Sequence, residues 1–202
     1  MNLPKRIWCS IAALIFVWLP LSAAALPAVN KNASEQQAVL SDADKAQLKL
    51  FTDRVKQYQK MERALPADKL SPTKDVKQLE QQRQALRDAL QQARPNAKQG
   101  DLFTPEVAAV FRKLLRATMT GAEGRKIRLS LNHAEPVSPQ DLQVNHVYPN
   151  ADGQPLQSVP PSLLRNLPVL PKGLDYRISG HTLSLRDTDA NMVVDYVRDA
   201  IP

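Results

Sequence analysis

The spacing of hydrophobic residues changes once along this chain, from a helical period to a strand period. Up to Leu115, apolar residues recur every three or four positions, as they do along one face of an α-helix. From Leu174 onwards they alternate with polar residues, as on a half-buried strand. Because the two patterns occupy separate parts of the chain, the sequence predicts an α+β fold, with a helical front followed by a small antiparallel β-sheet.

Two helices are predicted in the front part, over residues 41–64 and 73–93. Each has one narrow apolar stripe, formed in the first by Leu48, Phe51, Val55, Tyr58 and Leu65 and in the second by Val76, Leu79, Leu86, Leu90 and Ala93. The short segment between the helices contains Pro66 and Pro72, so we expect an antiparallel hairpin. Stripes this narrow are typical of coiled-coil seams, and residues 41–100 are therefore predicted to be a coiled-coil-like helical hairpin.

A third helix is predicted at the start of the second half, residues 101–202. Thr104 is a suitable N-cap, Pro105 suits the first helical position, and we expect Gly121 to end the helix. Residues 107–115 present a broader apolar face, which is typical of a helix packed on a core or a sheet.

The rest of the second half is predicted to be a small antiparallel β domain with proline-rich connections. Period-two alternation predicts strands at residues 127–131, 142–146, 174–178 and 183–185. Pro160–Leu164 can start a short helix, and Gly180–His181 predicts a tight turn between the last two strands. The secondary structure of Met192–Val197 is not decided by the sequence. Its β-branched content favours a third strand, whereas the spacing of its valines also allows a final helix.

The first 25 residues have the three-part pattern of a secretory signal peptide. Lys5 and Arg6 precede an uncharged apolar run, Ile7–Leu19, and small residues follow at Ala23–Ala25. We therefore expect cleavage near Ala25 and a periplasmic or extracellular mature protein; an uncleaved N-terminal anchor is the alternative. Residues 26–40 are polar and aperiodic, so they are predicted to be a flexible tether.

Charge and aromatic content argue against a nucleic-acid partner. Residues 26–100 have 14 basic and 9 acidic side chains, whereas residues 101–202 have 11 of each. The excess is diluted by interleaved acids, and the aromatic residues of the two front helices, Phe51 and Tyr58, lie on the stripe predicted to be buried. No stacking platform for single strands is therefore expected. At most, the basic half predicts weak contact with an anionic envelope surface.

No motif assigns catalytic, cofactor-binding or metal-binding residues. His133, His146 and His181 are far apart in the sequence, and the only cysteine, Cys9, lies in the predicted signal peptide. The chain has no GxSxG elbow, and its six glycines form no phosphate-binding loop. Asn132–Glu135 is the nearest approach to a polar cluster, and Pro168–Pro171 matches the PxxP pattern of polyproline II ligands or, alternatively, of a loop that covers the sheet.

Two segments resemble those of a family of uncharacterised exported bacterial proteins. They are residues 98–109, which read KQGDLFTPEVAA, and the ending, which contains LDYRI at 174–178 and LSLRD at 183–187. The resemblance covers most of the mature chain and implies export, a helical front and a proline-interrupted back; it implies no activity. The ending is also similar to the last hairpin of periplasmic proteins of nickel and cobalt homeostasis, which tend to be rich in histidine.

These observations favour a non-enzymatic envelope protein that acts through protein contacts. Its expected partner is another envelope protein or a second copy bound through the helical hairpin. One alternative is a hydrolase with a spatially assembled Ser/His/carboxylate site around His133 or His146. Another is a weak metal-binding envelope protein.

Overall fold

Helices precede strands along the chain. The structure, a computed structural model, describes residues 40–66, 73–131, 137–149 and 159–202. The helices in these residues are α1 (Asp42–Ala64), α2 (Val76–Ala93), α3 (Pro105–Thr118), α4 (Gly121–Leu131) and the single turn α5 (Pro161–Leu164); a 3-10 helix spans Pro139–Asp141. The strands are β1 (Leu174–Ser179), β2 (Thr182–Asp187) and β3 (Met192–Val197). The α+β fold is therefore confirmed, while the predicted signal peptide, the tether up to residue 39 and the Asn132–Glu135 cluster lie outside the described residues.

The helix starts follow the local capping signals. At α1, the Ser41 Oγ accepts the backbone N–H of Asp44 at 3.1 Å, and the Asp44 carboxylate accepts that of Ser41 at 2.8 Å. This reciprocal pair satisfies two donors that the first turn leaves free. At α2, Asp75 is the N-cap, so the helix begins at Val76 instead of at the predicted Thr73. None of the described helices combines the length and the apolar character needed to cross a bilayer.

The middle of the α1 stripe (Phe51, Val55 and Tyr58) and part of the α2 stripe (Leu86 and Leu90) lie in one core that they share with α3 and the sheet, whereas Val76 and Ala93 at the ends of the predicted α2 stripe are exposed. The helix on which α1 packs most extensively is α3. Phe51 contacts Phe111 of α3 at a ring-centroid distance of 4.9 Å and Phe103 of the preceding loop at 5.0 Å. On α2, Leu90 is fully buried in the same core, and the neighbouring Arg87 donates to the backbone oxygen of Ala190 at 2.9 Å. The buried part of each stripe therefore lies in the common core of the protein, and the coiled-coil-like character of residues 41–100 stays a prediction.

The three strands form an antiparallel sheet in the order β1-β2-β3. The strands predicted at 174–178 and 183–185 and the turn at Gly180–His181 are confirmed. Met192–Val197 is also a strand, so the helical alternative for this segment is wrong. The reason is that Val193 and Val194 are both fully buried in different clusters, one on each face of the sheet, and only an extended chain sends neighbouring side chains to opposite faces.

The strand predicted at 127–131 is wrong, because these residues belong to α4. Gly121 has a left-handed backbone, with φ +64°, and begins α4 instead of ending α3. In the helix, Ile127 is buried, Leu131 lies one turn further on the same side, and Leu129 is 66% exposed. Apolar residues at 127 and 131 fit the four-residue spacing of a helix as well as the period of a strand.

The strand predicted at 142–146 is also wrong, because the chain turns there. Asn145 has φ +63°, and its N–H donates to the backbone oxygen of Val193 at 2.9 Å. Val193 donates in return to the oxygen of His146, and Val147 forms an isolated bridge with Met192. Residues 145–148 therefore cover the outer edge of β3 without forming a strand of their own.

Candidate functional site

A groove of about 650 Å³ runs along the outer edge of β1. Leu174 and Tyr176 line it from the core face of the strand, and Asp175 and Arg177 from the opposite face. Only a groove that follows the strand edge meets side chains of both faces. The opposite wall is largely apolar and comes from α5 and the proline-rich segment after it: Val159, Pro161, Leu164, Arg165, Leu167, Pro168, Val169 and Leu170.

The proline-rich wall is fixed to the body of the protein at several points. The Tyr176 hydroxyl donates to the backbone oxygen of Pro168 at 3.0 Å. The Asn166 side chain donates to the Thr118 hydroxyl on α3 at 2.7 Å, and Leu163 is fully buried. Val169, by contrast, is 94% exposed. The wall is therefore anchored at its base and presents an apolar side chain at its rim.

The backbone of β1 offers hydrogen-bonding groups on the groove side. Its inner edge is paired with β2 from Leu174 to Ser179. Across the described part of the chain, only β2 makes backbone hydrogen bonds to residues 175–179, whereas the other outer strand, β3, is covered by residues 145–148. An uncovered edge strand is a template for the addition of a further strand.

Two arginines of β1 and β2 share one carboxylate beside the groove. Arg186 holds Asp175 with two hydrogen bonds, at 2.7 and 3.1 Å, and the Arg177 Nη1 lies 3.7 Å from the same carboxylate. Burial and the neighbouring Arg186 lower the pKa of Arg177 to about 10. Arg186 also stacks over the Tyr148 ring at 5.5 Å. These contacts fix the polar side of β1 in one arrangement.

Arg165 is the exposed cation of the groove. It lies on the wall that follows α5, and within the described residues no carboxylate forms a salt bridge with it. A ligand with an acidic group beside its apolar side chains would complement this arginine.

The histidines do not form a site in the described residues. His146 is exposed, and its Nδ1 lies 2.9 Å from the backbone oxygen of Val144. The His181 Nδ1 lies 2.9 Å from the backbone oxygen of Ile201 and fastens the end of the chain to the β1–β2 turn. Neither lines the groove, and His133 lies outside the described residues. Over the described ranges, no three His, Cys, Asp or Glu side chains are arranged to hold a metal ion.

The sequence singled out one part of this groove, the Pro168–Pro171 segment. Its other half, β1, was predicted as a strand but not as an outer one. Alternation shows which face of a strand is buried, but it does not show which neighbours pair with its edges. No family model, curated protein or solved structure matches this chain.

Proposed function

We propose that this is an exported, non-enzymatic module that binds an extended segment of a partner protein along β1. The observation that supports it best is the coincidence of an apolar groove with the outer edge of β1, with which none of the other described segments pairs. In this mode of recognition, backbone hydrogen bonds supply affinity and the pockets beside the strand select alternate side chains.

The groove suggests the chemistry of the segment that would occupy it. Its volume of about 650 Å³ falls within the usual range of ligand pockets. Leu174, Val169 and Leu170 favour apolar side chains at alternate positions, and Arg165 favours an acidic residue at one end. The expected occupant is therefore a short extended segment of a partner, with alternating apolar residues and one carboxylate.

Binding of fluorescent peptides would test this proposal. The probes are eight-residue peptides with Val or Leu at alternate positions and a single Asp, placed at the N-terminal end in one peptide and at the C-terminal end in another. Fluorescence anisotropy reports their affinity. Val169→Asp places a charge on the rim of the groove, and we expect it to weaken binding about tenfold or more. The matched control is Val76→Asp, because Val76 is also highly exposed, at 78%, but lies on α2. Equal affinities in the two variants would contradict the proposal.

Two further measurements test whether the ligand adds a strand to β1 and identify which protein supplies it. Peptides with N-methylated backbones should bind at least tenfold more weakly, because they cannot donate to a strand edge. Sedimentation of the protein alone then tests whether the groove binds a second copy of this chain. A dimer that Val169→Asp dissociates would show that the occupant of the groove is another molecule of this chain instead of a different protein.

We propose export for reasons that lie in the sequence. The charged start, the run Ile7–Leu19 and the small residues at Ala23–Ala25 support it, as does the absence of any cysteine after Cys9. Intact-mass measurement of the protein from the cells that produce it should give a chain starting near Leu26. A chain retaining Met1 in the cytosolic fraction would overturn this part of the proposal.

A further inference from the structure

A second cavity, of about 510 Å³, is lined by three cationic side chains, and no carboxylate of the described residues lines it. Lys98 comes from the loop before α3, Arg112 from α3, and Arg198 from the residue after β3. The remainder of the lining is Gln99, Gly100, Phe103, Pro105, Ala108, Tyr196 and Val197. The cavity therefore combines concentrated positive charge with a partly apolar floor.

The loop that supplies Lys98 is held by a buried carboxylate. Asp195 on β3 is fully buried and accepts the backbone N–H groups of Gly100, Leu102 and Phe103 at 2.9, 2.8 and 2.8 Å. These bonds hold the loop against β3. One wall of the cavity is therefore fixed in place before any ligand arrives.

The two guanidinium groups are also fixed, but their charges are not neutralised. Arg112 donates to the backbone oxygens of Arg198 and Asp199 at 2.9 and 3.3 Å. Arg198 donates to the backbone oxygen of Pro139 at 3.2 Å and lies 5.1 Å from the centre of the Tyr196 ring. A backbone carbonyl orients a guanidinium without cancelling its charge. In the described residues, neither arginine forms a salt bridge, and neither does Lys98.

Each guanidinium keeps donors for a ligand. An arginine side chain has five N–H donors, and the two hydrogen bonds that Arg112 makes to described residues use one donor each on Nε and on Nη2. Arg198 likewise makes one bond to Pro139 and a longer one, 3.5 Å, to the Tyr196 hydroxyl. Positioned guanidinium groups with free donors are the usual partners of oxyanions.

We propose that this cavity is a binding site for a phosphate group. Phosphate presents several acceptor oxygens and more than one negative charge, which three cations lining one cavity complement better than they complement a single carboxylate. The cavity is larger than a phosphate ion, and its apolar floor leaves room for the group that the phosphate esterifies. The phosphate can belong to a soluble ester or to a lipid headgroup.

Calorimetric titration of the protein with inorganic phosphate tests the site, with sodium acetate at equal ionic strength as the competing anion. Arg112→Gln should weaken phosphate binding about tenfold, because it removes a charge-assisted donor pair. Lys98→Gln should weaken phosphate binding about threefold. The substitution should leave the fold intact, because the Lys98 side chain is exposed and the hydrogen bond from Lys98 to Asp101 is made by the backbone N–H. Arg116→Gln is the matched control, since Arg116 is exposed on the same helix but does not line the cavity.

Sedimentation with phosphatidylglycerol vesicles distinguishes the two sources of phosphate. If Lys98→Gln and Arg112→Gln weaken binding of inorganic phosphate but leave vesicle binding unchanged, the ligand is a soluble ester. If they weaken both, the ligand is a headgroup. Acetate binding as tight as phosphate binding, or phosphate affinities of Lys98→Gln equal to those of the Arg116→Gln control, would overturn the proposal.

Discussion

A single carboxylate, Asp195, joins the loop before α3 to the last strand. Its Oδ1 accepts the N–H groups of Gly100 and Tyr196, and its Oδ2 accepts those of Leu102 and Phe103. Asparagine has one acceptor oxygen, so in Asp195→Asn two buried N–H groups would face an amide NH₂. We expect a loss of about 3 kcal/mol in the free energy of unfolding, measured by urea denaturation.

Asp199 provides the control for this substitution. It lies four residues along the chain, is exposed and has φ +51°, a conformation that asparagine adopts readily. Asp199→Asn should change the free energy of unfolding by less than about 0.5 kcal/mol. A similar loss in both variants would mean that removal of negative charge, and not the bonds of Asp195, weakens the fold.

At the scale of elements, the close approach of α4 to the end of α3 depends on one glycine. A Cβ at Gly124 would lie 2.0 Å from the backbone oxygen of Met119, which is the C-cap of α3. Gly124→Ala gains helix propensity of about 1 kcal/mol but must displace backbone. We expect a net loss of about 2 kcal/mol in the free energy of unfolding, measured by urea denaturation.

Substitution of Gly121 provides a control that separates this steric effect from the cost of backbone strain. It has φ +64°, and no atom lies within 4 Å of the position that a Cβ would take. Gly121→Ala should therefore lose about 1 kcal/mol from backbone strain alone, less than Gly124→Ala. If Gly124→Ala were as stable as the unsubstituted protein, α4 would not pack against α3 in this way.

These elements also show what the sequence could predict. The caps of α1 and α3 were predicted because a cap is a local interaction between residues three apart. Strands β1 and β2 were predicted because their alternation extends over both arms of a tight hairpin, whereas β3 was favoured but left open against a final helix. The apolar pattern could not distinguish a helix from a strand at residues 127–131, since Ile127 and Leu131 fit both periods, and it contains no signal for the close approach of Gly124 to Met119.

The two cavities depend on contacts between residues that are further apart in the sequence than those that determine the helices and strands. The groove forms where α5 and the proline-rich segment lie opposite β1, and one wall of the cationic cavity forms because Asp195 binds a loop more than 90 residues earlier in the chain. The sequence contained each participating residue, including the Pro168–Pro171 segment and the 98–109 segment. It contained no signal for which of them meet.

Over the whole chain, polar side chains of the helical front bind it to the sheet and to the loops beside the sheet. The Tyr58 hydroxyl donates to Asp187 at 2.8 Å, and the Gln59 side chain to the backbone oxygen of Lys172 at 2.9 Å. From α2, Gln91 donates to the backbone oxygen of Asn145 at 2.7 Å. Because the β2–β3 turn meets α1 through carboxylates, the attachment of the two parts should depend on pH.

Glu62 on α1 makes this dependence measurable. Partial burial, together with Asp187 and Asp189, raises the pKa of Glu62 to about 7, although Arg63 opposes the shift. The folded protein therefore holds this proton more tightly than the unfolded chain, whose glutamate titrates near its ordinary value. The Glu62 contribution to stability is consequently present at low pH and is lost as the pH rises through about 7.

Glu62→Gln should therefore stabilise the protein at pH 8 and leave it nearly unchanged at pH 5. After allowance for solvent screening, we expect a gain of about 1 kcal/mol, or roughly 3 °C in Tm, at pH 8. Differential scanning calorimetry at the two pH values checks this, with Glu123→Gln as the control, because Glu123 is exposed and its only salt bridge within the described residues is a 3.6 Å contact with Lys126. If Glu62→Gln raised Tm equally at both pH values, or no more than the control, Glu62 would not retain a proton between α1 and the β2–β3 turn.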